Sequence, residues 1–173
     1  MANTYKLIEN KTLSSASNSV VFANIPQTYT DLHFRVSVRN SNTSNYVGAY
    51  LIFNGDASTK ISSLLWGSGN TSSTINHSSL SGAFVGDVVG SASGLTLFMS
   101  NIEVYIPDYA NSSNPYKVYQ ADCTTMNTAA PAYNEFSVGT WNNGNAITSV
   151  AFECSPGSFV TNSVFSLYGI NAN

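Results

Sequence analysis

The clearest pattern in the chain runs from Leu32 to Arg39. Leu32, Phe34, Val36 and Val38 alternate with His33, Arg35, Ser37 and Arg39. Successive side chains of a β-strand point to opposite faces, so this segment reads as a half-buried strand laid over a core. The residues before it, Ile25 to Asp31, read as a turn in which Pro26 fixes φ and removes a donor and Asp31 closes the bend. A second strong strand is expected over Leu95–Ile106. There Ile102, Val104 and Ile106 face inward, Glu103 and Tyr105 face outward, and Pro107 ends the run.

Weaker β patterns recur between and around these two. They cover Tyr5–Lys11, Val20–Ala23, Val47–Phe53, Ile61–Trp66, Ala83–Val89, Tyr116–Cys123, Phe136–Trp141, Ile147–Cys154 and Val164–Ile170. In Val47–Phe53 both faces are apolar, as in a strand covered on each side. Turns are expected at Asn54-Gly55-Asp56, Ser91–Gly94, Asn142–Asn145 and Ser155-Pro156-Gly157. Loops are expected over Gly67–Ser81, Asp108–Pro115 and Thr124–Asn134. No window repeats its apolar residues at helical spacing for more than a turn.

About ten strands at this spacing predict an all-β, two-sheet sandwich, and a jelly-roll-like arrangement is one common way to bury two sheet faces and hide the edges. The expected core includes Leu32, Phe34, Val36, Val38, Ile102, Val104, Ile106, Val150, Phe152 and Phe165 or Val164. Neither a linker nor a fixed-period repeat interrupts residues 1–173, so a single domain is expected.

Composition changes the picture in one respect. Charged residues make up only 9% of the 173 residues, against about 25% in an ordinary soluble domain. Ser, Thr, Asn and Gly take their place, which gives a neutral but wet surface. The net charge of −3 argues against nucleic acid, which calls for a clustered basic patch. No apolar run is long enough for a transmembrane helix, and the N-terminal MANTYKLIENK lacks the pattern of a secretory signal.

Candidate chemistry is sparse. His33 lies on the outer side of a strand and His77 in the Ser/Thr-rich stretch, and neither has a partner at metal-ligand spacing. There is no GxSxG nucleophile elbow. Asp87, Glu103 and Asp122 could in principle supply a glycosidase carboxylate pair, but they read as outward solubilising acids. Asn54-Gly55-Asp56, and Asp108 with Asn111, read as turns before calcium sites. Cys123 and Cys154 read as two small buried thiols. No catalytic residue, metal or cofactor is therefore expected. Several of the ten tyrosines fall at outward positions, where aromatics suit a protein interface or sugar stacking as well as simple strand formation. Arg35, Arg39, Tyr105 and Tyr109 are the candidate interface residues.

The order YKLIE, IPQTYTDLHFRVSVR, FNGD, EVYIPDY, a Trp ahead of AITSVAF, and a final FSLYGI resembles small β-rich virion structural proteins of tailed bacteriophages. The likeness spans nearly the whole chain, and IPQTYTDL with SLYGI is its most distinctive part. It implies a place on a virion, assembly in the bacterial cytoplasm and release by lysis, without assigning any functional residue. Two roles are open. One is a decoration or cement protein on the head shell, partnered by the major capsid protein and assembled as a homotrimer. The other is a tail-fibre or receptor-binding module for a host surface glycan. A fibre calls for a stalk of heptads or collagen-like repeats, which is not seen, and the first and last strands start and stop near the termini. The head-shell role is the leading expectation.

Overall fold

The computed structural model describes residues 4–56, 60–68, 71–80, 82–91, 97–126 and 133–171. It contains twelve strands: β1 (Tyr5–Thr12), β2 (Ser19–Phe22), β3 (Asp31–Val38), β4 (Tyr46–Phe53), β5 (Lys60–Ser68), β6 (Thr71–Leu80), β7 (Ala83–Val89), β8 (Ser100–Ile106), β9 (Lys117–Thr125), β10 (Tyr133–Trp141), β11 (Val150–Cys154) and β12 (Val164–Ile170). One sheet has eight strands in the order β1-β12-β3-β8-β9-β10-β5-β6, and the other has four in the order β2-β11-β4-β7. Every pairing is antiparallel.

The connectivity is that of a jelly roll with an extension. The pairs β1·β12, β2·β11, β3·β8 and β4·β7 nest inside one another and fall alternately in the two sheets. Two hairpins are added to this eight-stranded frame. β5–β6 is inserted between β4 and β7, and β9–β10 between β8 and β11. Both join the larger sheet beyond β8, so that sheet overhangs the smaller one. Eight strands at about 4.8 Å spacing give it a breadth of roughly 35 Å.

The alternation expected for β3 and β8 is reproduced. Leu32, Phe34, Val38, Ile102, Val104 and Ile106 are fully buried and Val36 nearly so. Val150, Phe152 and Phe165 are also buried, whereas Val164 takes the outer face and is only half-covered. A chain of aromatic rings holds the two sheets together. Phe22 of β2 meets Phe34 of β3, Phe34 meets Phe152 of β11, Phe152 meets Phe165 of β12, and Phe165 meets Phe159, with centroid separations of 5.2–5.5 Å. Each such contact adds about 0.5–1.5 kcal/mol to the burial of the rings themselves.

Asn54 ties β4 to the segment that leads into β11. It sits at φ 52°, which Asn tolerates. Its Oδ1 accepts from the amides of Thr148 (2.8 Å) and Ser149 (3.0 Å), and its Nδ2 donates to the Ala146 carbonyl at 2.8 Å.

Two expectations about organisation are corrected. Among the described residues the strands number twelve, not about ten. The loop expected over Gly67–Ser81 is largely β6, so His77 lies in a strand opposite Ser62. The polar sequence TSSTINHSSL hides this strand because it has no apolar face to alternate. As an edge strand it needs one pairing partner and no second covered face. The second strong strand begins at Ser100 rather than Leu95, and residues 95 and 96 lie outside the described residues. So do most of the turn expected at Ser91–Gly94 and residues 127–132 of the Thr124–Asn134 loop, of which Thr124 and Thr125 complete β9.

Candidate binding face

The outer face of the large sheet is turned away from the smaller sheet, and strand register sets what it presents. One row runs Ser63, Val138, Gln120, Tyr105, His33, Tyr168 and Leu7, from β5 to β1. The next runs Leu65, Phe136, Asp122, Glu103, Arg35, Ser166 and Asn10. Each row reads across directly opposed residues, so neighbouring side chains are about 5 Å apart and can act together.

The half built on the extension is apolar. Leu65 (51% exposed), Phe136 (39%), Val138 (40%) and Val118 (47%) occupy three adjacent strands. Phe136 sits directly opposite Leu65. A groove of about 430 Å³ runs beside them, lined by Val118, Gln120, Val138, Tyr105 and Pro107 among others. Large exposed apolar side chains gathered in one patch cost solubility and mark a surface that is covered in use.

The half built on the jelly-roll frame is mixed. Arg35 Nε and Nη2 both reach Glu103 Oε1 at 3.1 Å. Both side chains are more than half exposed, so the pair is worth at most about 1 kcal/mol, and it orients Arg35 more than it stabilises the fold. His33 Nε2 lies 3.6 Å from Glu103 Oε2. Burial lowers the pKa of His33, against the pull of Glu103, so the imidazole is neutral at pH 7. Tyr5 stands edge-on to His33 at 5.7 Å and to Tyr168 at 6.5 Å. Tyr5, His33, Arg35, Glu103 and Tyr168 line a groove of about 410 Å³.

The four candidate interface residues part company here. Arg35 is on the face and exposed, as expected. Tyr105 is on the face and half-buried. Its hydroxyl donates to Asp31 Oδ2 at 2.6 Å, and that bond, with burial, pushes its pKa up to about 12. Tyr109 is not on any face: it is fully buried, with its hydroxyl donating to the Pro26 carbonyl. Asp108, at φ 50°, turns the chain back after β8, and Ile147 N–H then bonds the Tyr109 carbonyl at 2.9 Å, so the ring folds under the end of the sandwich. Arg39 does not extend the Arg35 row. β3 ends at Val38, Arg39 is half-buried, and its carbonyl accepts from Val160 N–H at 2.9 Å.

The structure also assembles a buried group that the sequence did not announce. Glu135 of β10 is only 3% exposed and lies against Asp87 of β7. Burial raises both carboxyls, Asp87 to about 6 and Glu135 to about 7, and the neighbouring carboxylate adds to the rise at Glu135. Asp87 is therefore not the outward solubilising acid expected, whereas Glu103 and Asp122 are exposed. Alternation pointed the wrong way for Glu135. In β10 the apolar Phe136 and Val138 face out, while Glu135, Ser137 and Trp141 face in.

None of the four principal grooves is lined by Asp87 or Glu135. Among the described residues no cluster of three or more His, Cys, Asp or Glu side chains is arranged to hold a metal. Cys123 and Cys154 are free and buried. No family model, curated protein or solved structure matches the chain.

Proposed function

We propose that the protein is a non-catalytic structural component of a tailed-phage virion, a decoration or cement protein on the outer face of the head shell. It docks through the outer face of its eight-stranded sheet. The observation that carries the docking role is the quartet Leu65, Phe136, Val138 and Val118, an apolar patch on strands that the jelly-roll frame itself does not need. The virion setting rests on the sequence resemblance. The partner is the major capsid protein, and the protein assembles as a homotrimer about a local three-fold axis, by analogy with other jelly-roll virion proteins. The location is the virion, after assembly in the host bacterial cytoplasm. Nucleic acid is a poor partner for this face, because Asp122 and Glu103 lie at its centre.

The test is reconstitution. Heads lacking the protein are mixed with wild type or with Phe136→Asp/Val138→Asp. Phe136 is 39% exposed and stands directly opposite Asp122, so thermal unfolding of the double variant is measured alongside to establish that it is folded. Loss of a central apolar anchor costs about 2 kcal/mol of binding, which is roughly a thirtyfold drop in affinity. Undiminished occupancy by the double variant contradicts the docking face.

A second reading is favoured by one observation, the groove lined by Tyr5, His33, Arg35, Glu103 and Tyr168. Tyrosine rings beside an internally neutralised donor–acceptor pair suit a polyhydroxyl ligand, so the alternative is a receptor-binding module that grips a host surface glycan. A glycan-array hit that Tyr168→Ala abolishes moves the protein to the tail.

A further inference from the structure

The free edge of the smaller sheet is closed by side chains of the larger one. β7 pairs with β4 on one side only. On its other side five backbone groups of β7 find partners outside β4. The Phe84 carbonyl accepts from Tyr119 Oη and Ser137 Oγ, both at 3.1 Å. Asp87 N–H donates to Glu135 Oε2 at 2.6 Å. The Asp87 carbonyl accepts from the Cys123 thiol at 3.4 Å. Val89 N–H donates to Ser100 Oγ at 2.9 Å, and Ser100 Oγ is bonded in turn to Thr125 Oγ1 at 2.7 Å. The Val89 carbonyl accepts from Asn40 N–H at 2.9 Å. An open strand edge invites pairing with another chain, and here these groups are met by side chains of β8, β9 and β10 and by the Asn40 amide. Gly86 lets β7 lie this close. It has φ 132°, and a Cβ there would fall 2.2 Å from Cys123 Cβ.

Only one of these contacts involves a group that titrates in the range where proteins live, and it stands beside a second carboxyl. We propose that the Asp87–Glu135 pair is a proton-operated latch: one shared proton holds β7 against β10, and its loss makes two facing anions that push the edge open. Apart from the Asp87 N–H that donates to Glu135, the described groups around the pair carry no positive charge. From β9 come the buried Cys123 thiol, pushed well up by burial, and Asp122, whose charge raises it further. Tyr119 of β9 is occupied on Phe84. From β4 comes the phenol of Tyr50, raised by burial and by Asp87. β8 contributes Ser100, which does not titrate, and Glu103 on the far face. Among the described residues the three ion pairs all lie elsewhere.

The sign follows from linkage. Both carboxyls sit above their ordinary value of about 4, so the folded chain binds more protons than the unfolded one between about pH 4 and 7. Stability from the latch is complete below that window and is lost as pH rises through it. In the full chain, amide exchange at Asp87 and Val89, corrected for intrinsic rate, should accelerate more than about tenfold between pH 5 and 8. Glu135→Gln keeps the acceptor for Asp87 N–H and gives the carboxylate a permanent donor. Asp87→Asn does the converse. Either variant should flatten the pH dependence. Wild-type carboxyl carbon titration by NMR supplies a readout that needs no variant, and a shared step near neutrality is expected. Exchange that is independent of pH in wild type, equal pH dependence in a folded variant, or two ordinary titrations near 4 would each overturn the latch.

Discussion

Truncating the central rings tests how the two sheets are held together. Phe34 and Phe152 are completely buried, belong to opposite sheets and lie 5.3 Å apart at an interplanar angle of 70°. Removing either ring by Phe→Ala forfeits its transfer free energy and leaves a cavity between two hydrogen-bonded sheets that cannot easily collapse, a loss of about 3–5 kcal/mol. For a chain of this length each kcal/mol lowers Tm by about 2–4 °C, so a fall of roughly 6–20 °C is expected. The two rings touch, so the double variant should lose less than the sum of the singles by about 0.5–1.5 kcal/mol. Urea unfolding followed by far-UV circular dichroism and by the buried Trp141 measures all four corners of the cycle. Val21→Ala, on the exposed side of β2, is the control and should stay within about 0.5 kcal/mol. A loss under about 1 kcal/mol at Phe34, or strict additivity of the pair, would refute this account of the core.

Two further substitutions probe single joints. Asn54→Ala should cost about 2–4 kcal/mol, because it deletes four hydrogen bonds to residues 146–149 and places Ala at φ 52°. Asn54→Gly, which relieves the backbone but not the hydrogen bonds, should recover about 1 kcal/mol of that in the same unfolding assay. Gly86→Ala should destabilise by about 3 kcal/mol or more, since its methyl group would meet Cys123 Cβ and the backbone is unsuited to an L side chain, and a Tm unchanged within error would contradict the packing of β7.

Much of this fold was legible in the sequence, because it follows from alternation. The apolar residues of β3 and β8 fall on one face of each strand, and register then carries that face to their neighbours. β6 was not legible, since an edge strand of Ser, Thr and Asn carries no buried face to betray it. Tyr109 was misread because a turn at Asp108 reverses the chain, and such a reversal leaves no periodic trace. The binding face was legible in part. Arg35 and Tyr105 are where alternation puts them, but Phe136 and Val138 are an apolar stripe facing outward, against the usual direction. Glu135 was hidden for the same reason: in β10 the polar face is the buried one, and its acid is met there by the Asp87 amide of β7. Both exceptions lie on β10, in one of the two hairpins added to the jelly-roll frame, where the larger sheet overhangs the smaller.

The central claim is that these added strands present a docking face to a virion shell. The most direct measurement is the copy number of the protein per purified particle, by quantitative mass spectrometry against the major capsid protein. A decoration protein follows the shell lattice, so the account predicts hundreds of copies in fixed proportion to capsid subunits. A count of a few to a few dozen copies per particle, the stoichiometry of a tail, would contradict it.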